Sequence, residues 1–175
     1  SVYDALFRPN DDEADDGCTR VEVACWSHSR RKYWEAALAK ERVACEALVR
    51  IGKIFEVDAD IQKGRPPPSK IKTLRQKHLA PLVDEFLAFA AAAYERVKDK
   101  RSSLRSALGY TVRQQDALRA FLNDGRLRLD NNLSESALRK VVRIRDAALF
   151  AGSDDHAESA GHLLSLIASA RLHGL

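Results

Sequence analysis

Asp130-Asn131-Asn132-Leu133-Ser134-Glu135-Ser136-Ala137-Leu138-Arg139 is the stretch whose residue types and spacing point most directly to chemistry. A helix that starts near Asn131 or Asn132 puts Asn131, Glu135 and Arg139 at four-residue steps, so an amide, a carboxylate and a guanidinium line one face. Such a face suits a metal ion beside a phosphate. The carboxylate is a hard oxygen ligand for magnesium, which takes one or two protein carboxylates together with phosphate oxygens of the substrate. The guanidinium can grip a phosphate through two parallel hydrogen bonds. The same letters also spell a helix capping box, Asn132-x-x-Glu135, in which the acid satisfies a backbone N–H of the first turn, and on spacing alone that is the commoner use of the pattern. Glu135 and Arg139 are also spaced as a surface ion pair worth about 0.3–0.5 kcal/mol.

A second cluster, Cys25-Trp26-Ser27-His28-Ser29-Arg30-Arg31-Lys32-Tyr33-Trp34, falls where a predicted strand passes into a predicted helix. Cys25 and His28 could form half of a zinc site, but no second pair stands at suitable spacing and His78 is isolated in the sequence. Arg30, Arg31 and Lys32 read either as a solvated helix face or as contacts to DNA phosphates, which position a duplex without reading its sequence.

The elements that must carry these residues follow from periodicity. Residues 19–26 alternate and are rich in β-branched and aromatic types, which predicts a strand, with Ser27 able to cap the helix after it. Apolar positions at Trp34, Ala37, Leu38, Cys45, Leu48, Ile51 and Phe55 predict one long amphipathic helix from residue 27 to about 63, ended by Pro66, Pro67 and Pro68. Leu79 to Val97 form a second helical pattern. A third runs from Leu104 to Leu122, with Ser102 or Ser103 as its start signal and Gly125 as its stop. Residues 126–130 alternate and predict a short strand or extended segment. Helices then follow through Ala137, Leu138, Val141 and Val142, and through Ala160, Leu163, Leu164, Ile167 and Leu172. This order contains too few strands for a sheet, so either the protein is nearly all helical or the chain is a fragment whose other strands precede Ser1.

Composition bounds the reading more loosely. The 175 residues, 45% hydrophobic and 31% charged, suffice for one globular domain. No apolar run approaches the length of a membrane span and no secretion signal is apparent, which predicts a cytoplasmic protein with no membrane partner. Cys18, Cys25 and Cys45 are an odd number and are expected as reduced thiols. Asp11, Asp12, Glu13, Asp15 and Asp16 read as a solvated acidic loop. A net charge of +4 permits a polyanionic partner without naming one.

With both clusters in view, the chain resembles the insertion sequence 66 family of bacterial transposases over nearly its whole length. Cys25-Trp26-Ser27-His28-Ser29-Arg30-Arg31-Lys32-Tyr33 is similar to the family's C-W-A-H-x-R-R-K-F run. Asp130-Asn131-Asn132-x-x-Glu135-x-Ala137-Leu138-Arg139 is similar to its D-N-N-x-x-E-R-A-L-R, and Leu149-Phe150-Ala151-Gly152-Ser153 to its L-F-A-G-S. Three motifs in the right order are more specific than any one. Ser136 stands where the family usually has arginine, Lys140 where it has proline, and Arg145-Asp146-Ala147 where it has Arg-Lys-Asn.

The resemblance implies a mainly α chain: a partial ribonuclease-H-like α/β core, with one or two short strands present, carrying a large all-helical insertion. Residues 1–35 would belong to the core, 36–125 to the insertion, and 126–175 to the return to the core with the glutamate helix and a C-terminal helix. It implies DNA strand cleavage and strand transfer at the ends of an insertion element, with Glu135 as the catalytic glutamate and metal ligand. Arg139 and His28 would stand at the catalytic site, and Arg30, Arg31, Lys32, Asn131 and Asn132 on DNA. Two Mg2+ (or Mn2+) ions are expected in the full-length protein, with two aspartates placed before Ser1, the second shortly upstream because Ser1-Val2-Tyr3 looks like the end of the family's D-G-Y-x-x-Y. The expected partner is double-stranded DNA, both element ends and target, bound by a homo-oligomer, and the fragment alone is predicted inactive. The competing reading is a non-catalytic helical DNA-binding or subunit-interaction module.

Overall fold

A computed structural model of the chain describes residues 21–99, 101–132, 135–136, 138–139, 142–143 and 153–172. The acidic loop at 11–16, the start at Ser1 to Tyr3, Cys18 and most of the Leu149 to Ser153 motif lie outside these. Two compact units divide the chain, Ser1–Asp130 and Asn131–Leu175.

The first unit is helical: α1 (Trp26–Leu38), α2 (Arg42–Gln62), α3 (Pro68–Leu74), α4 (Ala80–Glu95), α5 (Ser103–Arg113) and α6 (Gln115–Arg119). Among the described residues there is no β-strand, which corrects the strand expected up to Trp26, and the expected ribonuclease-H-like α/β core is not seen in them. Residues 21–25 run as coil: the donors of this segment and of the first residue of α1 go to two different segments rather than down one ladder. Ala24 N–H reaches the carbonyl of Ala117 at 3.0 Å, and Trp26 N–H reaches that of Leu129 at 2.9 Å. The segment around Leu129 is the other predicted extended stretch, so the two stretches do meet, through a single bond.

The long helix expected from 27 to 63 is two helices. Its break is a Schellman motif: Lys40 adopts φ 63°, its N–H bonds to the carbonyl of Ala37, and the N–H of Glu41 bonds to that of Ala36. Glycine or asparagine usually marks such a turn, and here a lysine takes it. The break resets the helical phase. Trp26, Ser29, Tyr33 and Ala36 are the buried stripe of α1, while Trp34 and Leu38, expected inside, are 58% and 69% exposed. On α2 the stripe is Ala44, Ala47, Ile51, Ile54 and Asp58.

Pro68 stands in the first turn of α3, where its missing N–H costs nothing. The chain passes into α4 through a π turn, Arg75–Leu79, with the Ala80 N–H bonded to the Arg75 carbonyl. Pro81 follows immediately. In a regular helix its ring would crowd the carbonyl four residues back, and the extra residue of a π turn relieves that conflict. Ser102 caps α5 as expected, its hydroxyl accepting from Arg105 N–H at 3.1 Å.

The core forms where α1 packs on α2 and α5 and where α4 packs on α2 and α5. Its centre is aromatic: Trp26 and Phe86 lie 5.5 Å apart between ring centroids, Tyr33 meets Phe86 edge-on at 5.9 Å, and Phe121 meets Trp26 edge-on at 6.2 Å. Each such side chain contributes about 1.5–3 kcal/mol by leaving water. The indole N–H of Trp26 donates to the Leu118 carbonyl at 2.9 Å.

In the second unit, Asn132, Glu135, Ser136, Leu138, Arg139, Val142 and Arg143 are helical. A last helix, α7 (Asp154–Leu172), follows, with Ser153 Oγ accepting from His156 N–H at 3.3 Å. Leu163, Leu166 and Ile167 on it are 59%, 69% and 42% exposed. No helix among the described residues is long and apolar enough to cross a membrane.

Candidate functional site

Two short segments carry the residues singled out by the sequence, and one backbone bond ties the start of the first to the residue that precedes Asp130. Cys25 is the N-cap of α1, and Trp26, anchored through both its backbone and indole nitrogens, fixes where that helix starts. His28 is on its exposed side, two residues further on. Leu129, which accepts from Trp26 N–H, is buried. The next residue, Asp130, is half-buried and lies 3.9 Å from Arg128 Nε.

The three cations on α1 do not share a face. Arg30 leans over the Phe55 ring of α2 at 5.8 Å, and Lys32 over the Tyr110 ring at 5.3 Å. Arg31 pairs with Glu35 at 3.3 Å. The guanidinium and ammonium groups are thereby held at either shoulder of α1, with Arg31 between them facing outward.

In the second unit, the backbone N–H of Glu135 donates to the Asn131 carbonyl at 3.0 Å. That bond makes Asn131 the N-cap and Glu135 the fourth helical residue, one position beyond the third-residue acid that a capping box uses. Asn131 and Asn132 are exposed, Glu135 is half-buried and Arg139 is exposed. Among the described residues no three His, Cys, Asp or Glu side chains gather into a group able to hold a metal ion. Glu135 by itself fits the habit of magnesium, which accepts a single protein carboxylate and completes its octahedron with water and phosphate.

Sequence reasoning missed the pair that shapes the approach to Asp130. Arg75, 1% exposed, sits in the π turn and donates to Asp58 Oδ1 from Nε at 2.7 Å and to Oδ2 from Nη2 at 3.3 Å. Its Nη1 reaches the carbonyls of Phe121 at 3.1 Å, Asp124 at 3.4 Å and Leu127 at 2.7 Å. One guanidinium thus satisfies a buried carboxylate and the inner carbonyls of the turn leading to Leu129. The signal was present but unread: Asp58 continues the Ile51 and Ile54 stripe, and Arg75 continues from Ile71 to Leu79, so each charge falls on a buried face.

A second buried polar group lies under α1. Thr111 Oγ1 donates its one hydrogen to the Ala107 carbonyl at 3.2 Å, so the hydroxyls of Tyr33, at 2.9 Å, and Ser29, at 3.4 Å, donate into its lone pairs. Burial pushes the Tyr33 phenol up to about 12. On the turn above Arg75, the side chain of Arg126, with its backbone N–H, holds the Asp124 carboxyl at about 2.

Comparison with known proteins assigns the class. Residues 1–159 match a family of transposases. That family is described as Transposase IS66 family, and the chain belongs to it. Similar curated proteins come from Sinorhizobium fredii (strain NBRC 101917 / NGR234). "Uncharacterized protein y4hP" is 32% identical over 165 residues, covering 86% of this chain and 29% of the relative. "Uncharacterized protein y4qI" is 25% identical over 154 residues, covering 87% and 28%. The chain therefore spans under a third of the length of these relatives. No solved structure matches it.

Proposed function

We propose that this chain is part of a DDE-type transposase, contributing the catalytic glutamate and a helical body that holds DNA while strands at the element ends are cut and joined to a target. The observation that supports this best is the bond from Trp26 N–H to the Leu129 carbonyl, 2.9 Å long. It links the start of the first motif to the residue before the second, although the two stand far apart in sequence.

In this reading Glu135 is one carboxylate ligand of a divalent-metal centre whose two aspartates belong to a part of the family protein outside this chain. Bound Mg2+ or Mn2+ supplies charge neutralisation at the attacking and leaving oxygens of an in-line phosphoryl displacement. The residues of this chain then have distinct tasks. Arg139, one helical turn beyond Glu135, holds a non-bridging phosphate oxygen. Asn131 and Asn132 present amide donors to the sugar-phosphate backbone. Arg30, Arg31 and Lys32 keep the duplex in register by phosphate contact, and His28 stands at the margin of the site. The protein acts as a homo-oligomer on DNA, and this chain without the remaining ligands does not cut.

The competing reading, a helical DNA-binding or subunit-interaction module with no chemistry, draws on the dominance of helix among the described residues. Divalent-ion dependence separates the two. In a longer family protein that includes this chain, end cleavage is expected with Mg2+ or Mn2+ and none with chelator, while duplex binding persists in both. Metal-independent cleavage, or an absence of cleavage under every condition with DNA binding intact, contradicts the catalytic reading.

A further inference from the structure

One stretch of the chain is strongly basic and free of acids. Residues 61–83 contain Lys63, Arg65, Lys70, Lys72, Arg75 and Lys77 and no acid, which exceeds the net charge of +4 of the entire chain. The rest is net acidic. Arg75 is spent internally on Asp58, and Lys63 pairs with Asp60. Arg65, Lys70, Lys72 and Lys77 are exposed and enter no ion pair with a described residue. Elsewhere the surface mixes signs: Arg50 meets Glu46 and Glu85, Lys53 meets Glu56, and Arg119 meets Asp84.

The stretch opens on a turn before α3. Gly64 and Arg65 both have left-handed backbone angles, φ 75° and 50°. Glycine takes that region freely, whereas a residue with a side chain, here Arg65, usually avoids it. Three prolines follow, which limit the freedom of the segment before any partner arrives. The stretch also abuts the turn leading to Asp130, since a Cβ on Gly125 would lie 2.0 Å from the Pro68 carbonyl oxygen. That turn holds Arg126 and Arg128, which are exposed but pair with Asp124 and Asp130 and so add no free charge.

We propose that residues 64–77 form a second DNA-backbone contact surface, in which Arg65, Lys70, Lys72 and Lys77 meet duplex phosphates, separate from the cations on α1. This rests on the reading of the chain as part of a DNA transposase. The charge complementarity is to a polyanion with regularly spaced charges, and contact of this kind carries no base information, as suits a surface that guides DNA rather than reads it.

The test is binding of the 175-residue chain to a short duplex, without divalent ions, between about 50 and 200 mM salt. The quadruple variant Arg65→Gln, Lys70→Gln, Lys72→Gln and Lys77→Gln is compared with Lys40→Gln, Arg42→Gln, Lys53→Gln and Lys98→Gln, which removes four cations outside the surface. Thermal midpoints verify that both remain folded. Each lost phosphate contact lowers the slope of log K against log salt by about 0.9, so the first variant is expected to lose about 3–4 and the second much less. Equal losses in both overturn the surface while leaving the transposase reading standing. Absence of duplex binding by the unaltered chain at low salt overturns both. A first variant that keeps its duplex slope but loses binding to an acidic polypeptide overturns the DNA assignment in favour of a protein partner.

Discussion

The backbone N–H of Trp26 and the carbonyl of Leu129 are hydrogen-bonded at 2.9 Å, and this bond ties the start of α1 to the residue preceding Asp130. Both partners are buried, so the bond is shielded from competing water and holds the start of α1, two residues before His28, against the residue that precedes Asp130. Trp26 adds the indole bond to Leu118 and ring contacts to Phe86 and Phe121. A buried aromatic thus sets the geometry from which the polar residues of the motif project.

Gly125 is expected to tolerate no side chain. Its missing Cβ is the space occupied by the Pro68 carbonyl, 2.0 Å from where that carbon would sit, and a backbone oxygen cannot swing aside as a side chain can. Gly125→Ala should lower stability by about 1–3 kcal/mol, the usual cost of overpacking. Urea denaturation measures this directly, and a midpoint unchanged from the parent chain would show that the turn is free to move off α3.

The Asp58–Arg75 pair should behave as a coupled unit. Removing one partner leaves a buried charge uncompensated, which costs about 3–5 kcal/mol. Asp58→Leu and Arg75→Leu are each expected near that cost. The double variant should lose less than the sum of the two, although the carbonyls of Phe121, Asp124 and Leu127 still lose their donor. Additive losses in the double-mutant cycle would mean that the pair stabilises little beyond its separate contacts.

Alkaline pH tests the hydroxyl group under α1. The Tyr33 phenol, ordinarily at 10.0, is raised to about 12 by burial. The folded state favours its neutral form, so its contribution is fully present below pH 10 and is lost as pH rises toward about 12. Tyr33→Phe should cost about 0.5–1.5 kcal/mol at neutral pH through the lost hydrogen bond to Thr111. It should also flatten the decline in stability above pH 10. A decline of equal steepness in the variant would place the alkaline sensitivity elsewhere.

Much of the fold was legible because it rests on local chemistry. Ser102 announced α5 and the three prolines marked the end of α2, whereas the alternation after Gly125 suggested a short strand or extended segment and residues 126–130 form turns and coil. The break at Lys40 was not legible, because an arginine-rich, alanine-rich stretch with no glycine or proline gives no stop signal, and the Schellman turn there is imposed by packing α2 back on α1. The resulting phase shift explains why Trp34 and Leu38 were expected inside and Tyr33 was not. The strand up to Trp26 failed for a different reason: alternation supplies the side-chain pattern of a strand but not the neighbouring strand that completes a ladder. At the site, the spacing of Asn131, Glu135 and Arg139 was readable. The register that moves Glu135 one place past the capping box depends on which carbonyl accepts its N–H, and no residue type reveals that.

Substitution of Glu135 tests the central claim most directly. In a longer family protein containing this chain, with element-end DNA and Mg2+, Glu135→Gln replaces the proposed carboxylate ligand by an isosteric amide and leaves the helix register intact. Duplex affinity is expected to stay within about twofold, while strand cleavage falls by about a thousandfold or more, comparable to loss of about 4 kcal/mol of transition-state stabilisation. Cleavage at the parent rate by Glu135→Gln would contradict the assignment and leave the residue as part of a helix start.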